Sequence, residues 1–143
     1  MRLSRKGRYG VRAMVCLAMI GGDSPISTKR VAETEGIPVA FLEQLLFRLK
    51  KAGFVRSRRG PKGGFALTKR PEDIRMIDIL EALDEAILPA ECVAPESSRP
   101  GCSMKKRCAS HLLWQRLSDT VRDVLEKTTL ADVCSDAREL QHA

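Results

Sequence analysis

The stretch FLEQLLFRLKKAGFVRSRRGPKGGFALTK, residues 41–69, carries a helix, a stop and a hairpin in direct succession. Leu42, Leu45, Leu46 and Leu49 recur at helical spacing and define one apolar face. The helix they mark runs from about Val39 to Ala52, where Gly53 ends it. Phe54 to Arg58 then alternates apolar residues with basic or polar ones, as a strand does. Gly60-Pro61-Lys62-Gly63-Gly64 reads as a turn, and Phe65-Ala66-Leu67 as the return strand. The hairpin bears Arg56, Arg58, Arg59 and Lys62. A cationic hairpin directly after a helix reads as a wing; the alternative is an exposed hairpin kept soluble by charge.

Upstream, Lys6 to Ile20 has the helical period, with Tyr9, Ala13, Cys16, Leu17 and Ile20 on one side and Gly21-Gly22 as the stop. Ser27 offers an N-cap for a short helix from Thr28 to Glu35, closed by Gly36. Two short helices across a glycine turn form a helix-turn-helix pattern. The expected fold is therefore mainly α with a small β-hairpin, a winged helix-turn-helix over residues 1–75. Residues 76–143 are expected to hold a cysteine loop and dimerisation helices.

Composition agrees with a soluble globular chain and excludes both disorder and membrane spanning: 43% of residues are hydrophobic and 30% charged. Charge is unevenly placed. Residues 1–75 carry 17 Lys and Arg against 6 Asp and Glu, whereas residues 76–143 carry 8 against 12. A basic half joined to an acidic half is the asymmetry expected when one part faces a polyanion. The basic start and the apolar run Ala13 to Ile20 loosely imitate a signal peptide. The run is short, abuts Arg12 and lacks a cleavage pattern, so a cytoplasmic protein without a membrane partner is expected. Thiols are kept reduced there, which turns five cysteines toward metal or redox chemistry rather than disulfides.

The second helix of such a motif enters the major groove with its N-terminal residues at the base edges. Those residues are Val39, Ala40, Glu43 and Gln44. Gln44 suits adenine, while Glu43 accepts only from donors such as the cytosine amino group and repels phosphate, so it acts as a filter. Arg59 suits a narrow minor groove. Arg2, Arg5, Lys6, Tyr9, Thr28, Lys29, Arg48, Arg58 and Lys62 complete the candidate DNA surface, mainly as contacts to phosphate.

Pro71 and Asp73 open a further helical stretch whose face is Met76, Ile77, Leu80 and Leu83. From Glu85 to Lys106 the chain is rich in Pro, Ser, Gly and Cys and loses its period, which marks a functional loop. A long helix follows, about Ala109 to Lys127. Trp114, Leu117, Val121 and Val124 step by 3, 4 and 3 along it as a heptad seam. A chain this small cannot cover that seam by itself, so a homodimer is expected, against packing on the first helix. Thr129 can cap a last helix through Leu140.

Cys92, Cys102, Cys108 and His111 make the pattern C-x9-C-x5-C-x2-H. Zinc accepts three cysteines and a histidine, but structural zinc sites pair ligands two to four residues apart. An iron–sulfur cluster tolerates wider spacing. A cluster, zinc and redox-active thiols all remain open on the chemistry. Cys16 and Cys134 fall within helical patterns and read as small core residues. No nucleophile–base set and no phosphate cradle is present, so an enzyme is not expected.

Taken together, residues 1–14 (MRLSRKGRYGVRAM), residues 41–69, the cysteine loop, HLLWQRLSDTV at 111–121 and TTLADV at 128–133 resemble a known family. It is the family of winged helix-turn-helix transcriptional regulators that includes the iron–sulfur cluster regulator IscR and the nitric-oxide sensor NsrR, and the IscR type is nearer. The resemblance implies a homodimer on palindromic operators, with a cluster held by three cysteines and one more ligand. In the IscR type the cluster is [2Fe–2S] and the fourth ligand is a histidine three residues after the last cysteine, here His111. In the NsrR type a carboxylate near the start of the first helix completes the site. Arg8 occupies that position and cannot ligate iron. The expectation is a regulator that senses iron–sulfur supply or redox stress, the alternative being a zinc-stabilised or thiol-switched repressor.

Overall fold

The computed structural model describes residues 2–95 and 102–143; the centre of the cysteine loop, residues 96–101, lies outside them. Ser4 caps α1 (Arg5–Cys16) by accepting from the Gly7 amide, and the helix continues as one π-helical turn, Leu17–Gly21. Ser27 caps α2 (Thr28–Glu35) through the Arg30 amide, and Gly36 closes it in the left-handed conformation. The third helix, α3 (Val39–Lys51), ends in a turn bearing Arg48, Lys50 and Lys51 that complements its dipole. The hairpin pairs β1 (Val55–Arg58) with β2 (Gly64–Leu67), in the register Val55 opposite Leu67 and Arg58 opposite Gly64.

The wing is fastened to the helices. Ile26, just before α2, exchanges two 2.8 Å backbone hydrogen bonds with Phe65 and adds a minimal third strand. A side chain at Gly64 would run into the Ile26 carbonyl at 2.0 Å, so glycine permits that approach.

After the wing, the expected single helical stretch is broken. Pro71–Asp73 forms a 3-10 turn, Ile74 is extended and wholly buried, and α4 is confined to Met76–Ala82. Two more 3-10 turns, Glu91–Val93 and Lys105–Arg107, interrupt the segment that lacks a sequence period. The last helices are α5 (Ala109–Lys127) and α6 (Leu130–Gln141), the latter with a full capping box between Thr129 and Asp132.

The core is one cluster. Met14, Leu17, Val31, Leu42, Leu46 and Leu49 from α1–α3 share it with Ile79 and Leu83 near α4 and with Leu130 and Cys134 of α6. The end of the chain is held there by the backbone bonds Met76 amide to Thr128 carbonyl, 2.9 Å, and Leu130 amide to Ile74 carbonyl, 2.8 Å. Cys16 and Cys134 are buried in this cluster, and loss of solvent pushes both thiols up.

Candidate DNA interface and cysteine segment

Helix α3 turns Leu42, Leu45, Leu46 and Leu49 into the core, which leaves the other side of the same helix in solvent. Val39, Ala40, Glu43 and Gln44 are all exposed on that side. One residue that the sequence reading passed over joins them. Phe47 is 60% exposed, and the Lys51 ammonium sits 5.7 Å from its ring centroid. The signal was available: Phe47 stands four residues after Glu43 and outside the Leu stripe.

The wing holds Arg58, Arg59 and Lys62 in the open, and among the described residues none of the three is in an ion pair. Arg2 and Arg5 are exposed at the start of α1, as are Lys29 in α2 and Arg48 in α3, whereas Lys6 and Thr28 are half-buried. Tyr9 is half-buried as well. Its ring meets Phe41 edge-on at 5.8 Å, with the Arg12 and Arg8 guanidinium groups 5.5 and 6.0 Å from its centroid. Arg12 is itself fixed by Glu35 at 3.1 Å. Tyr9 is therefore a post between α1 and α3 before it is a group for DNA.

A short acidic segment ties this surface to the rest of the chain. Asp84 has the left-handed φ of 53°, and its carboxylate pairs with Arg48 of α3 at 2.7 Å. Its carbonyl accepts from the Lys6 ammonium at 3.3 Å. Glu85 accepts from the Ser4 amide at 2.9 Å and from the Ser4 hydroxyl. Partial burial raises the Glu85 pKa, but the Ser4 hydrogen bonds and Lys6 outweigh it and hold the carboxyl below the usual carboxylate value. The fit is close: a methyl at Gly10 would meet Leu83 at 2.1 Å, and one at Gly7 the Glu85 carboxylate at 2.9 Å. Six residues beyond Glu85 begins the turn that carries Cys92.

All five cysteines are free thiols. Cys108 is the N-cap residue of α5; the His111 amide donates to its carbonyl at 3.2 Å, and the nearby backbone amides of His111 and Ser110 lower the thiol pKa although no side-chain cap hydrogen bond forms. His111, one turn on, is buried, and its Nδ1 has no hydrogen-bond partner among the described residues. The Cys92 turn packs against α5, while Cys102 is exposed. The described residues do not gather three of the four candidates into one metal site. The donor set still fits an iron–sulfur group: a thiol with a lowered pKa, a buried imidazole nitrogen left open among the described residues, and two further thiols on the segment that leads to α5.

Along α5, Trp114 and Val121 of the expected seam are half-buried, whereas Leu117 is 37% and Val124 56% exposed. Leu113, outside the expected seam, is 52% exposed. At about 100° per residue Leu113, Leu117 and Val124 fall within about 40° of one another, so the open stripe is turned by about 40° from the centre of the expected seam. Trp114 and Val121 lie together on one side of it.

A family model described as "Rrf2: Iron-dependent Transcriptional regulator" matches residues 3–136. The chain belongs to the Rrf2 family. Curated relatives include the HTH-type transcriptional regulator IscR of Erwinia tasmaniensis, 38% identical over 95% of this chain and 80% of the relative. IscR of Pectobacterium carotovorum is likewise 38% identical, over 100% of this chain and 85% of its own length. Among solved structures, CymR (YrzC), the global cysteine regulator of B. subtilis, superimposes with a TM-score of 0.77 at 38% identity, covering 94% of this chain and 97% of that one. The T. potens IscR structure gives 0.76 at 36% identity over 100% and 93%. This Rrf2 protein is a DNA-binding regulator of transcription and not an enzyme. Among its described residues no helix is long and apolar enough to cross a membrane.

Proposed function

We propose that this Rrf2 protein is a homodimeric regulator, active in the cytoplasm, that binds palindromic operators and senses iron–sulfur status or redox stress through a [2Fe–2S] cluster. Cys92, Cys102, Cys108 and His111 would hold the cluster. The observation that carries this reading is the buried His111 Nδ1, without a partner among the described residues, one turn from a Cys108 thiol whose pKa is lowered. A buried ring nitrogen left unsatisfied costs free energy, and a metal bond removes that cost. Bound there, the cluster supplies a redox-active group that gains and loses charge or is lost outright. The chain's own residues do the rest. The Asp84–Glu85 segment joins the cysteine turn to Arg48 and Ser4, so a shift of that turn bears on the DNA surface, and Glu43 filters operators there.

The dimer reading is supported by the open stripe of Leu113, Leu117 and Val124. Recognition would use Val39, Ala40, Glu43 and Gln44 in the major groove and Arg59 in the minor groove, with Arg2, Arg5, Lys6, Tyr9, Thr28, Lys29, Arg48, Arg58 and Lys62 positioning the protein on phosphate. A second reading, a zinc-stabilised or thiol-switched repressor, is favoured by the likeness to a regulator named for cysteine and by the exposed Cys102.

Anaerobic purification with iron and acid-labile sulfide counts separates the two. A brown protein with about two irons and two sulfides per chain is expected. A colourless chain that binds zinc, or no metal after reconstitution, overturns the cluster.

A further inference from the structure

Phe47 is unlike the four leucines of α3. It lies across the helix from the stripe Leu42, Leu45, Leu46 and Leu49, and it is 60% exposed where those are buried. Counted along the helix it is seven residues after Ala40, four after Glu43 and three after Gln44. At about 100° per residue this puts it in the middle of the line those three make. Packing in the core does not account for it. Its surroundings carry both signs of charge: the Lys51 ammonium stands 5.7 Å from the ring centroid, Arg48, the next residue, is paired with Asp84 at 2.7 Å, and Glu43 stands one turn back on the same face. A ring with an ammonium beside it, in line with the proposed base-reading residues, fits an apolar group next to a phosphate.

Among the base edges of the major groove, the thymine C5 methyl is the outstanding apolar group. We infer that Phe47 packs its ring on that methyl and is a specificity-determining residue of α3, selecting thymine at one position in each copy of the recognised site. The inference rests on the reading of α3 as the major-groove helix. Glu43 and Gln44 select by hydrogen bonds, and Phe47 adds a criterion that no hydrogen bond supplies. Lys51, beside the ring, neutralises the adjacent phosphate without reading sequence.

Uracil differs from thymine only by the missing methyl, which makes the test a single-group exchange. Duplexes are selected by the wild-type protein from a randomised pool, and each thymine of the recovered site is replaced in turn by uracil. Binding is compared for the wild type, Phe47→Ala and Phe47→Leu, with circular dichroism to confirm the fold. The expected result is one position per site copy where uracil weakens the wild type by about fourfold, the worth of burying one methyl group. Phe47→Ala binds thymine and uracil equally there, and Phe47→Leu keeps part of the preference. The inference is overturned if no exchange is felt, or if Phe47→Ala feels the same exchange as the wild type. It is also overturned if Phe47→Ala binds every duplex as tightly as the wild type, which would leave the ring to a protein partner. A wild-type chain that enriches no duplex overturns the reading of α3 as the major-groove helix, and this inference with it.

Discussion

Residues 39–67 and residues 85–108 are of similar length and are held in opposite ways. In the first, Leu42, Leu45, Leu46, Leu49, Phe54, Val55 and Ala66 are buried, and the backbone is paired from α3 through the Phe54 and Thr68 turns into the hairpin. In the second, no described residue is buried, and two 3-10 turns are the only helical structure described before α5. Burial of apolar area is what orders a small domain. The reading half obtains its order from its own side chains. The described residues of the cysteine segment have no such source, and under the proposed function a bound cluster would organise them. That division suits the proposed sensor, with a rigid reader and a segment whose arrangement a ligand would decide.

The contrast would break if the two halves were separate folding units. Leu130 of α6 lies in the acidic half of the sequence but is wholly buried in the same cluster as α1–α3. Leu130→Ala is expected to cost about 2–5 kcal/mol and to unfold the helix-turn-helix in the same transition, read by denaturation with DNA binding and circular dichroism as parallel probes. A DNA-binding unit that survives the loss of α6 would refute the single core.

The contrast sharpens at the outer stripe of α5. In the proposed homodimer, Val124→Asp, at a residue 56% exposed, should leave the fold intact and raise the dimer dissociation constant by more than about tenfold, because a carboxylate would be buried at the seam. Sedimentation measures it, and an unchanged dimer would place the interface elsewhere.

A smaller effect is expected from Lys62→Ala on the wing. Affinity should fall about equally for all DNA sequences, and the slope of log affinity against log salt should drop by about one. A change in sequence preference would mean that Lys62 reads bases.

The smallest effect concerns the Ser4–Glu85 clasp. Its carboxyl is held below the usual value, so its contribution is present above the ordinary carboxylate range and is lost as pH falls through the lowered value. Glu85→Gln should flatten the acid loss of stability by less than about 1 kcal/mol, since the pair is partly exposed. Equal acid profiles for the two proteins would show that the clasp adds nothing.

How legible these features were depends on how local their causes are. Ser27 and Gly36 bound α2, and Gly53 ends α3, through backbone rules that need no tertiary partner, and the sequence reading placed them correctly. The wing turn was equally plain. Ile79 was not among the expected core positions because α4 is covered on more than the one face that a simple period assigns; it is wholly buried. Leu113 was missed because the seam was counted from Trp114, which the protein half-buries against itself. The Asp84–Arg48 pair joins residues 36 apart, and the seating of Leu83 against Gly10 joins residues 73 apart; no local pattern encodes either. At the cysteine segment, the donor types were legible but their gathering was not. The residues between Cys92 and Cys102 make no period that a sequence reading could use.

The two bonds between Ile26 and Phe65 have a consequence for how an operator is measured. They fix the root of the hairpin to the start of α2, so the place where the wing leaves the helices is set by the fold. Little freedom of that joint is left to lose on DNA, which favours tight binding to sites of one geometry. The same joint works as a fixed-width gauge. If α3 reads the major groove and Arg59 the minor groove, as proposed, a base pair inserted between the two sites would shift them by about 3.4 Å and a tenth of a turn. A hinged wing would follow that shift; a fixed one would reject the site.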